Sequence, residues 1–125
     1  MMGYVIVFFG AGIGGALRHG TNLMAARLFG ADFPFGTLTV NVLGSLVMGI
    51  LVGYFAFKGE ALQHWRLFLT TGILGGYTTF STFSLDFALM WERGQMGLAA
   101  FYALASVIVS IVALFAGMLM IKAIT

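Results

Sequence analysis

Long uncharged runs dominate the pattern of apolar and polar positions along this chain. They are Met1–Leu17, Phe33–Phe57, Leu67–Leu85 and Gly94–Ile121. A helix needs roughly 20 apolar residues, with a range of about 17–25, to cross the hydrocarbon core of a membrane. The pattern therefore predicts an all-α membrane protein with four transmembrane helices, which form a single domain over residues 1–125.

The polar and turn residues between these runs set the boundaries of the four predicted helices. We expect the helices at about residues 3–28, 37–57, 65–91 and 96–121. Pro34 in the first connection has no N–H and breaks helices. Residues 58–64 form a polar connection, and residues 92–95 form a short turn.

The third predicted helix contains an unusual run at its centre. Residues 72–84 read Gly-Ile-Leu-Gly-Gly-Tyr-Thr-Thr-Phe-Ser-Thr-Phe-Ser, a mixture of glycine, hydroxyl and phenylalanine residues. We expect the helix to be interrupted near Gly75–Gly76. Lipid cannot satisfy loose backbone groups, so irregular backbone at this depth must be buried in protein or line a polar path. This run is therefore the candidate functional site.

Small residues recur at four-residue spacing on the first two predicted helices. Gly10 and Gly14 form one stripe, and Ser45, Gly49 and Gly53 form another. In membranes such stripes let helix backbones approach closely. Both stripes are therefore predicted to pack helices together.

The composition narrows the class of protein further. Only 8% of the residues are charged, whereas soluble domains carry about 25%. The absence of cysteine excludes disulfides and thiolate metal sites. The net charge of +2 is spread out, without a basic tract that would indicate a nucleic-acid partner.

Positive charges are almost equally distributed between the two predicted sides of the membrane. One side has Lys58, Arg66 and Lys122, and the other has Arg27, Arg93 and, if it reaches out, Arg18. The positive-inside rule needs a bias to fix orientation. The balance indicates either a chain that inserts both ways up and pairs antiparallel, or a marginal bias that the insertion machinery reads correctly.

Several residues in the apolar runs could act on an anion. Arg18 could attract an anion into a vestibule, or could extend its charge to the membrane surface from a helix end. Asn41 could donate two hydrogen bonds to an ion, or could link two helices. Phe80 and Phe83 lie near one helical face and could present positive ring edges to an anion, or could be ordinary core or lipid-facing aromatics.

A polar stripe runs along the fourth helix. Tyr102, Ser106 and Ser110 recur at intervals of four residues, and could donate hydrogen bonds to an anion or to other helices. Asp86 is the carboxylate nearest the centre of a span, where it could relay protons or simply end the third helix. No arrangement of residues typical of a catalytic site or a metal site accompanies them, so the chain is predicted not to be an enzyme.

Three motifs together carry a resemblance to a known family. They are Gly-Gly-Tyr-Thr-Thr-Phe-Ser-Thr-Phe-Ser at 75–84, Gly-Thr-Leu-Thr-Val-Asn at 36–41, and Ala-Leu-Arg at 16–18. With its length and four spans, the chain resembles the small microbial fluoride channels (the Fluc, or CrcB, family). The resemblance implies passive fluoride export across the bacterial plasma (inner) membrane, through two pores along the interface of an antiparallel, dual-topology homodimer.

The resemblance also implies roles for individual residues. Phe80 and Phe83 match the phenylalanines that face the ion, Asn41 matches an asparagine near the pore, and Arg18 matches an arginine of the vestibule. Tyr102, Ser106 and Ser110 match the family's polar track, and the expected pore also includes Ser81 and Thr82. Backbone carbonyls of Gly75 and Thr78 in both subunits match a structural, untransported sodium site. Tyr77 stands where other members carry a different apolar residue, which is not expected to disturb a site made by backbone oxygens.

Two other functions compete with a fluoride channel. Proton-coupled small multidrug exporters also have four spans and dual topology, but they need a membrane-embedded carboxylate on the first helix. Here that helix has Arg18 and no acid within its apolar run. The second competitor is a scaffold or assembly subunit that transports nothing.

Overall fold

Helices make up every regular element of the computed structural model, which describes residues 1–58 and 62–125. Three long helices match the first, second and fourth predicted ones: α1 (Met2–Phe29), α2 (Phe35–Lys58) and α6 (Met96–Ile124). The third predicted helix is divided into α3 (Gln63–Leu67), a π-helical segment (Phe68–Leu74), α4 (Gly75–Tyr77) and α5 (Phe80–Glu92). The predicted all-α architecture is confirmed, while residues 59–61 of the polar connection lie outside the described residues.

The surface of the long helices is suited to a membrane. Among the described residues, α2 and α6 are the helices that are long and apolar enough to cross a bilayer by length and composition. The 28 residues of α1 extend about 42 Å at 1.5 Å per residue, which also exceeds the hydrocarbon thickness. Large apolar side chains of α6 remain uncovered by the rest of the chain: Leu104, Val107, Ile108, Ile111, Val112, Phe115 and Leu119.

Of the four predicted helices, the first packs against the third and the second packs against the fourth. α2 lies along α6, and α1 lies along the π-helical segment and α4. Within a pair the two helices run in the same direction, since Gly49 faces Leu114 and Gly53 faces Ile121. The interruption of the third helix is thus placed between α1 and α2.

Glycines bring these helix backbones into direct contact. A Cβ on Gly14 would collide with the carbonyl oxygen of Ile73, and one on Gly49 would collide with the carbonyl oxygen of Leu114. Gly117 of α6 makes a comparable approach to the carbonyl oxygen of Leu46. The predicted packing role of the glycine stripes is therefore confirmed.

The interruption lies three residues beyond its predicted position. Gly75 and Gly76 are helical, whereas Thr78 (φ −84°, ψ 160°) and Thr79 (φ −153°, ψ 125°) are extended. A Cβ on Gly76 would collide with the backbone of Ala11 on α1. The missing side chain of Gly76 therefore serves close packing of two helices, and the backbone leaves the helix only at Thr78.

Gly14→Ala should lower the free energy of unfolding by about 1–3 kcal/mol, because the added methyl overpacks the contact between α1 and the π-helical segment. Gly12→Ala is the matched control on the same helix, since nothing lies within 4 Å of an added Cβ there. The control should be neutral or slightly stabilising, as alanine favours helix. Thermal unfolding in detergent measures both variants, and equal stability of the two would contradict the packing role of Gly14.

Candidate functional site

Asn41 of α2 holds the extended backbone at the interruption. Its Nδ2 donates to the carbonyl oxygen of Thr79 at 3.0 Å, and its Oδ1 accepts from the N–H of Thr79 at 2.8 Å. One planar amide thus satisfies both backbone groups of a buried residue. The pairing also fixes the orientation of the amide, because Oδ1 must face the N–H and Nδ2 must face the carbonyl. One Nδ2 hydrogen remains for another acceptor.

The side chains of the two extended threonines complete the interruption. Thr79 Oγ1 accepts from the N–H of Thr82 at 3.2 Å and so caps α5. Both the N–H and the hydroxyl of Thr78 donate to the carbonyl of Leu74 at 3.0 Å. Thr79, a residue type that favours the N-cap position, is the signal for the start of α5 that the sequence analysis missed.

These side-chain bonds release two backbone carbonyls. In a continuous helix the N–H of Thr79 would donate to the carbonyl of Gly75, and the N–H of Thr82 to that of Thr78. Asn41 and the Thr79 hydroxyl take these two N–H groups instead. Among the described residues, no side chain and no backbone N–H outside the helices donates to the carbonyl of Gly75 or Thr78.

A groove of about 330 Å³ opens beside the interruption, between α2, the start of α5, and α6. Its polar lining comes from Asn41, Ser45, Thr78, Thr79, Ser106 and Ser110, and its apolar lining includes Phe80 and Phe83. All of the lining residues are uncharged. The groove therefore brings together most of the residues that the sequence analysis placed in one site.

The hydroxyls of Ser106 and Ser110 are buried in the wall of this groove. Neither oxygen has a hydrogen-bond partner among the described residues. Buried polar groups are normally paired, because an unpaired one costs about 1–3 kcal/mol. The groove lining therefore carries two hydroxyls, four residues apart on α6, whose hydrogen-bonding capacity the described residues do not use.

The two phenylalanines lie side by side at the groove, with ring centroids 5.6 Å apart. Phe80 is 76% exposed, although its neighbours in the interruption are largely buried. Phe83 packs against the ring of Tyr102 at 5.1 Å and belongs to the edge of the apolar core. Phe80 is thus available to a second molecule, while Phe83 is held by its own chain.

A second cavity, of about 350 Å³, lies where the α1–α2 connection meets α5. Thr82, Asp86 and Arg93 are among its lining residues. The Asp86 carboxylate accepts a hydrogen bond from the hydroxyl of fully buried Tyr102 at 3.1 Å. Tyr102 therefore contacts one lining residue of each space, Asp86 of this cavity and Phe83 of the groove.

Four of the predicted site residues line neither cavity: Arg18, Gly75, Ser81 and Tyr102. Arg18 is half-buried on α1 and lines neither the groove nor the second cavity. Ser81 is exposed, and its hydroxyl lies 3.3 Å from that of Thr79. Arg93, which enters the sequence analysis only through the charge balance across the membrane, lines the second cavity.

The long apolar helices, their uncovered surface and the polar groove beside an interrupted helix define a helical membrane protein. Comparison with known families agrees with this class. The chain belongs to the CrcB family: the family described as CrcB-like protein, Camphor Resistance (CrcB), matches residues 5–118. The resemblance found from the three motifs is thereby confirmed.

Similar proteins cover nearly the whole chain. It is 56% identical over 124 residues to the protein named Fluoride-specific ion channel FluC 2 of Nitrobacter hamburgensis, across 99% of this chain and 100% of that relative. A Fluoride-specific ion channel FluC of Rhodopseudomonas palustris (strain BisB5) is 59% identical with the same coverage. Another of that name, from Granulibacter bethesdensis, is 61% identical across 91% of this chain and 90% of the relative. These relatives are named as ion channels, in line with the prediction that the chain is not an enzyme.

Asn41→Asp should destabilise the protein by about 1–3 kcal/mol, because it places an acceptor against the Thr79 carbonyl and leaves that carbonyl unpaired. The substitution keeps the size of the side chain, so packing should not change. Ser45→Ala, one turn further along α2, is the matched control. Thermal unfolding in detergent measures the effect. An Asn41→Asp variant as stable as Ser45→Ala would show that the amide does not hold the interruption.

Proposed function

We propose that this chain is a fluoride-selective channel that lets fluoride leave the cytoplasm passively across the bacterial inner membrane, which it crosses four times. The observation that carries the proposal is the pair of buried, unpaired hydroxyls, Ser106 and Ser110, on the wall of an uncharged groove. Hydroxyl donors can replace the water of a small anion. The names of the CrcB relatives support fluoride as that anion.

The donors around the groove suit an ion that must enter and leave. Besides the serines, Asn41 keeps one N–H free, and the first N–H groups of α5, at Phe80 and Ser81, have no intrahelical acceptor. The helix N-terminus also favours negative charge. Because no cation lines the groove, an anion is attracted by dipoles and ring edges only, and binding stays weak enough for release.

We assign Phe80 and Phe83 to the ion path, where their ring edges would face the anion. We assign Thr82 and the Tyr102–Asp86 pair to the part of the path between the groove and the second cavity. Arg18 is assigned to the approach of the anion as a fixed positive charge. The half-buried position of Arg18 on α1 is compatible with that role, and because Arg18 lines neither cavity we assign it long-range attraction only.

The functional unit we propose is an antiparallel homodimer with dual topology. The groove is open to the outside of the chain, and Phe80 on its lining has three-quarters of its surface uncovered. A second copy in the opposite orientation would cover this ring and the uncovered apolar faces. The balanced positive charges on the two sides of the membrane support insertion in both orientations.

We also assign a structural sodium ion to the backbone carbonyls of Gly75 and Thr78. The N–H groups that would pair with these carbonyls in a continuous helix donate instead to Asn41 Oδ1 and Thr79 Oγ1. Unwound carbonyls of this kind hold sodium in transporters. When bound, the ion would supply positive charge to these oxygens, and the chain's own contribution is to keep them free.

A proton-coupled exporter of cationic drugs is the competing function. Asp86 is the only acid of α5 that lies within its apolar part, and it is engaged by the Tyr102 hydroxyl. α1 offers no acid at all. Drug-dependent proton flux that disappears in Asp86→Asn would favour this competitor.

Purified protein in liposomes should release fluoride rapidly and chloride far more slowly. Fluoride- and chloride-selective electrodes measure the two rates in matched vesicles, with sodium present or replaced by a larger organic cation during preparation. Comparable chloride flux would exclude a selective fluoride channel, and no flux of either ion would favour the non-transporting scaffold. A rate that does not depend on sodium would remove the sodium site while leaving the channel intact.

Phe80→Ile and Phe83→Ile should each slow fluoride efflux about tenfold, which corresponds to ~1.4 kcal/mol in the barrier, because isoleucine has no positive ring edge. Phe8→Ile is the matched control, since Phe8 is 73% exposed on α1 and lies outside the groove. Gel filtration follows the folded assembly. If both groove variants conduct as well as Phe8→Ile, the phenylalanines have no part in conduction.

A further inference from the structure

Tyr77 is the last helical residue before the interruption, and it is not among the residues that line the groove. The residue is only 8% exposed, and its hydroxyl lies 2.9 Å from Oγ1 of Thr21 on α1. A tyrosine hydroxyl buried between apolar helices needs a hydrogen-bond partner. Thr21 is the partner that the chain provides, from a helix 56 residues away in sequence.

The direction of this hydrogen bond follows from the other contact of Thr21. Thr21 Oγ1 donates its hydrogen to the carbonyl of Leu17 at 3.0 Å. A hydroxyl carries one hydrogen, so Tyr77 must donate and Thr21 must accept. Removing either hydroxyl breaks the bond while leaving most of the side chain in place.

The hydrogen bond between Tyr77 and Thr21 fixes the relative position of α1 and α4, which the glycine contacts between them do not fix. Near Tyr77, α1 touches the third helix through glycine: a Cβ on Gly14 would lie 2.8 Å from the Tyr77 nitrogen. Such contacts set the distance between two helices, but they resist sliding and rotation weakly. Thr21 lies two turns beyond Gly14, so its bond to Tyr77 fixes the position of α1 along the end of α4.

Two neighbouring residues are thereby tied to two different helices. Tyr77 is bound to α1 through Thr21, and Thr79 is bound to α2 through Asn41. Thr78, between them, bonds only to its own helix. The position of Thr78, and of Phe80 immediately after, therefore depends on both attachments.

We infer that the Tyr77 hydroxyl, by donating to Thr21, is a positioning group that holds the end of α4 and the start of α5 in the geometry that ion conduction needs. This inference rests on the proposed channel function. Without the bond, the glycine contacts and the Asn41 amide keep the fold, while the interruption gains freedom to move. Fluoride flux therefore falls although the protein stays folded.

Fluoride efflux from liposomes tests this role in Tyr77→Phe, Thr21→Val, the double variant and Thr21→Ser. Each of the first two should lower the rate about fivefold, equivalent to ~1 kcal/mol in the barrier. The double variant should be no slower than the slower single variant, because both remove the same bond. Thr21→Ser keeps the hydroxyl and should conduct like the wild type.

Tyr4→Phe is the matched control, since Tyr4 is on the same helix as Thr21 and is 82% exposed. Thermal unfolding is measured in parallel: every variant should remain folded, with Thr21→Val the least stable because it leaves the Tyr77 hydroxyl without its partner. If Tyr77→Phe does not yield folded protein, the comparison of Thr21→Val with Thr21→Ser decides.

The outcomes separate this role from the channel function itself. Wild-type protein without fluoride efflux overturns the proposed function and this role together. Wild-type efflux with unchanged rates in Tyr77→Phe and Thr21→Val overturns the role of Tyr77 alone. Additive losses in the double variant, or equal losses in Thr21→Val and Thr21→Ser, also overturn it, because the effect would then not arise from one shared bond.

Discussion

The backbone of Thr79 sets the constraint on which the rest of this structure depends. A residue that leaves the helix within the apolar part of a membrane protein exposes an N–H and a carbonyl that lipid cannot satisfy. An amide side chain offers a donor and an acceptor in one plane, and Asn41 uses both on Thr79. An ionised carboxylate in the same place could not donate to the carbonyl, and a hydroxyl would have to make both bonds through a single oxygen. The amide of Asn41 therefore holds the interruption, and its two bonds fix the rotation of α2 about its own axis.

The same hydrogen bonds give the two sides of the interruption opposite polarity. Before it, the carbonyls of Gly75 and Thr78 lose their helical donors, so the end of α4 presents partial negative charge. After it, the first N–H groups of α5 present partial positive charge beside the groove and the Ser106 and Ser110 hydroxyls. In the function we propose, one break in one helix would thus serve a sodium ion on one side and fluoride on the other. No charged side chain is needed on the groove lining for either.

Much of this arrangement follows from the sequence, and some of it cannot. Span length and composition predict the helices, and the spacing of the glycines predicts their contacts. The interruption lies at Thr78–Thr79 and not at Gly75–Gly76, because the helix cost of glycine, about 1 kcal/mol, is offset by the close approach to α1 that Gly76 allows. The decisive signals are Thr79 as a helix cap and its pairing with Asn41, 38 residues earlier. No local pattern reports such a pairing, nor the π-helical segment against which α1 packs.

The packing of alternate helices explains how so short a chain holds an interrupted helix in place. α1 lies against the segments before the interruption, and α2 carries the amide that holds the residue after it. If the chain packed consecutive helices only, the third helix would contact α2 and α6, and its first half would have no second support. Placing the interruption between α1 and α2 gives each half its own attachment, through Tyr77 and Thr79. A site that must keep its shape while an ion passes needs both halves held, and four helices are enough to do it.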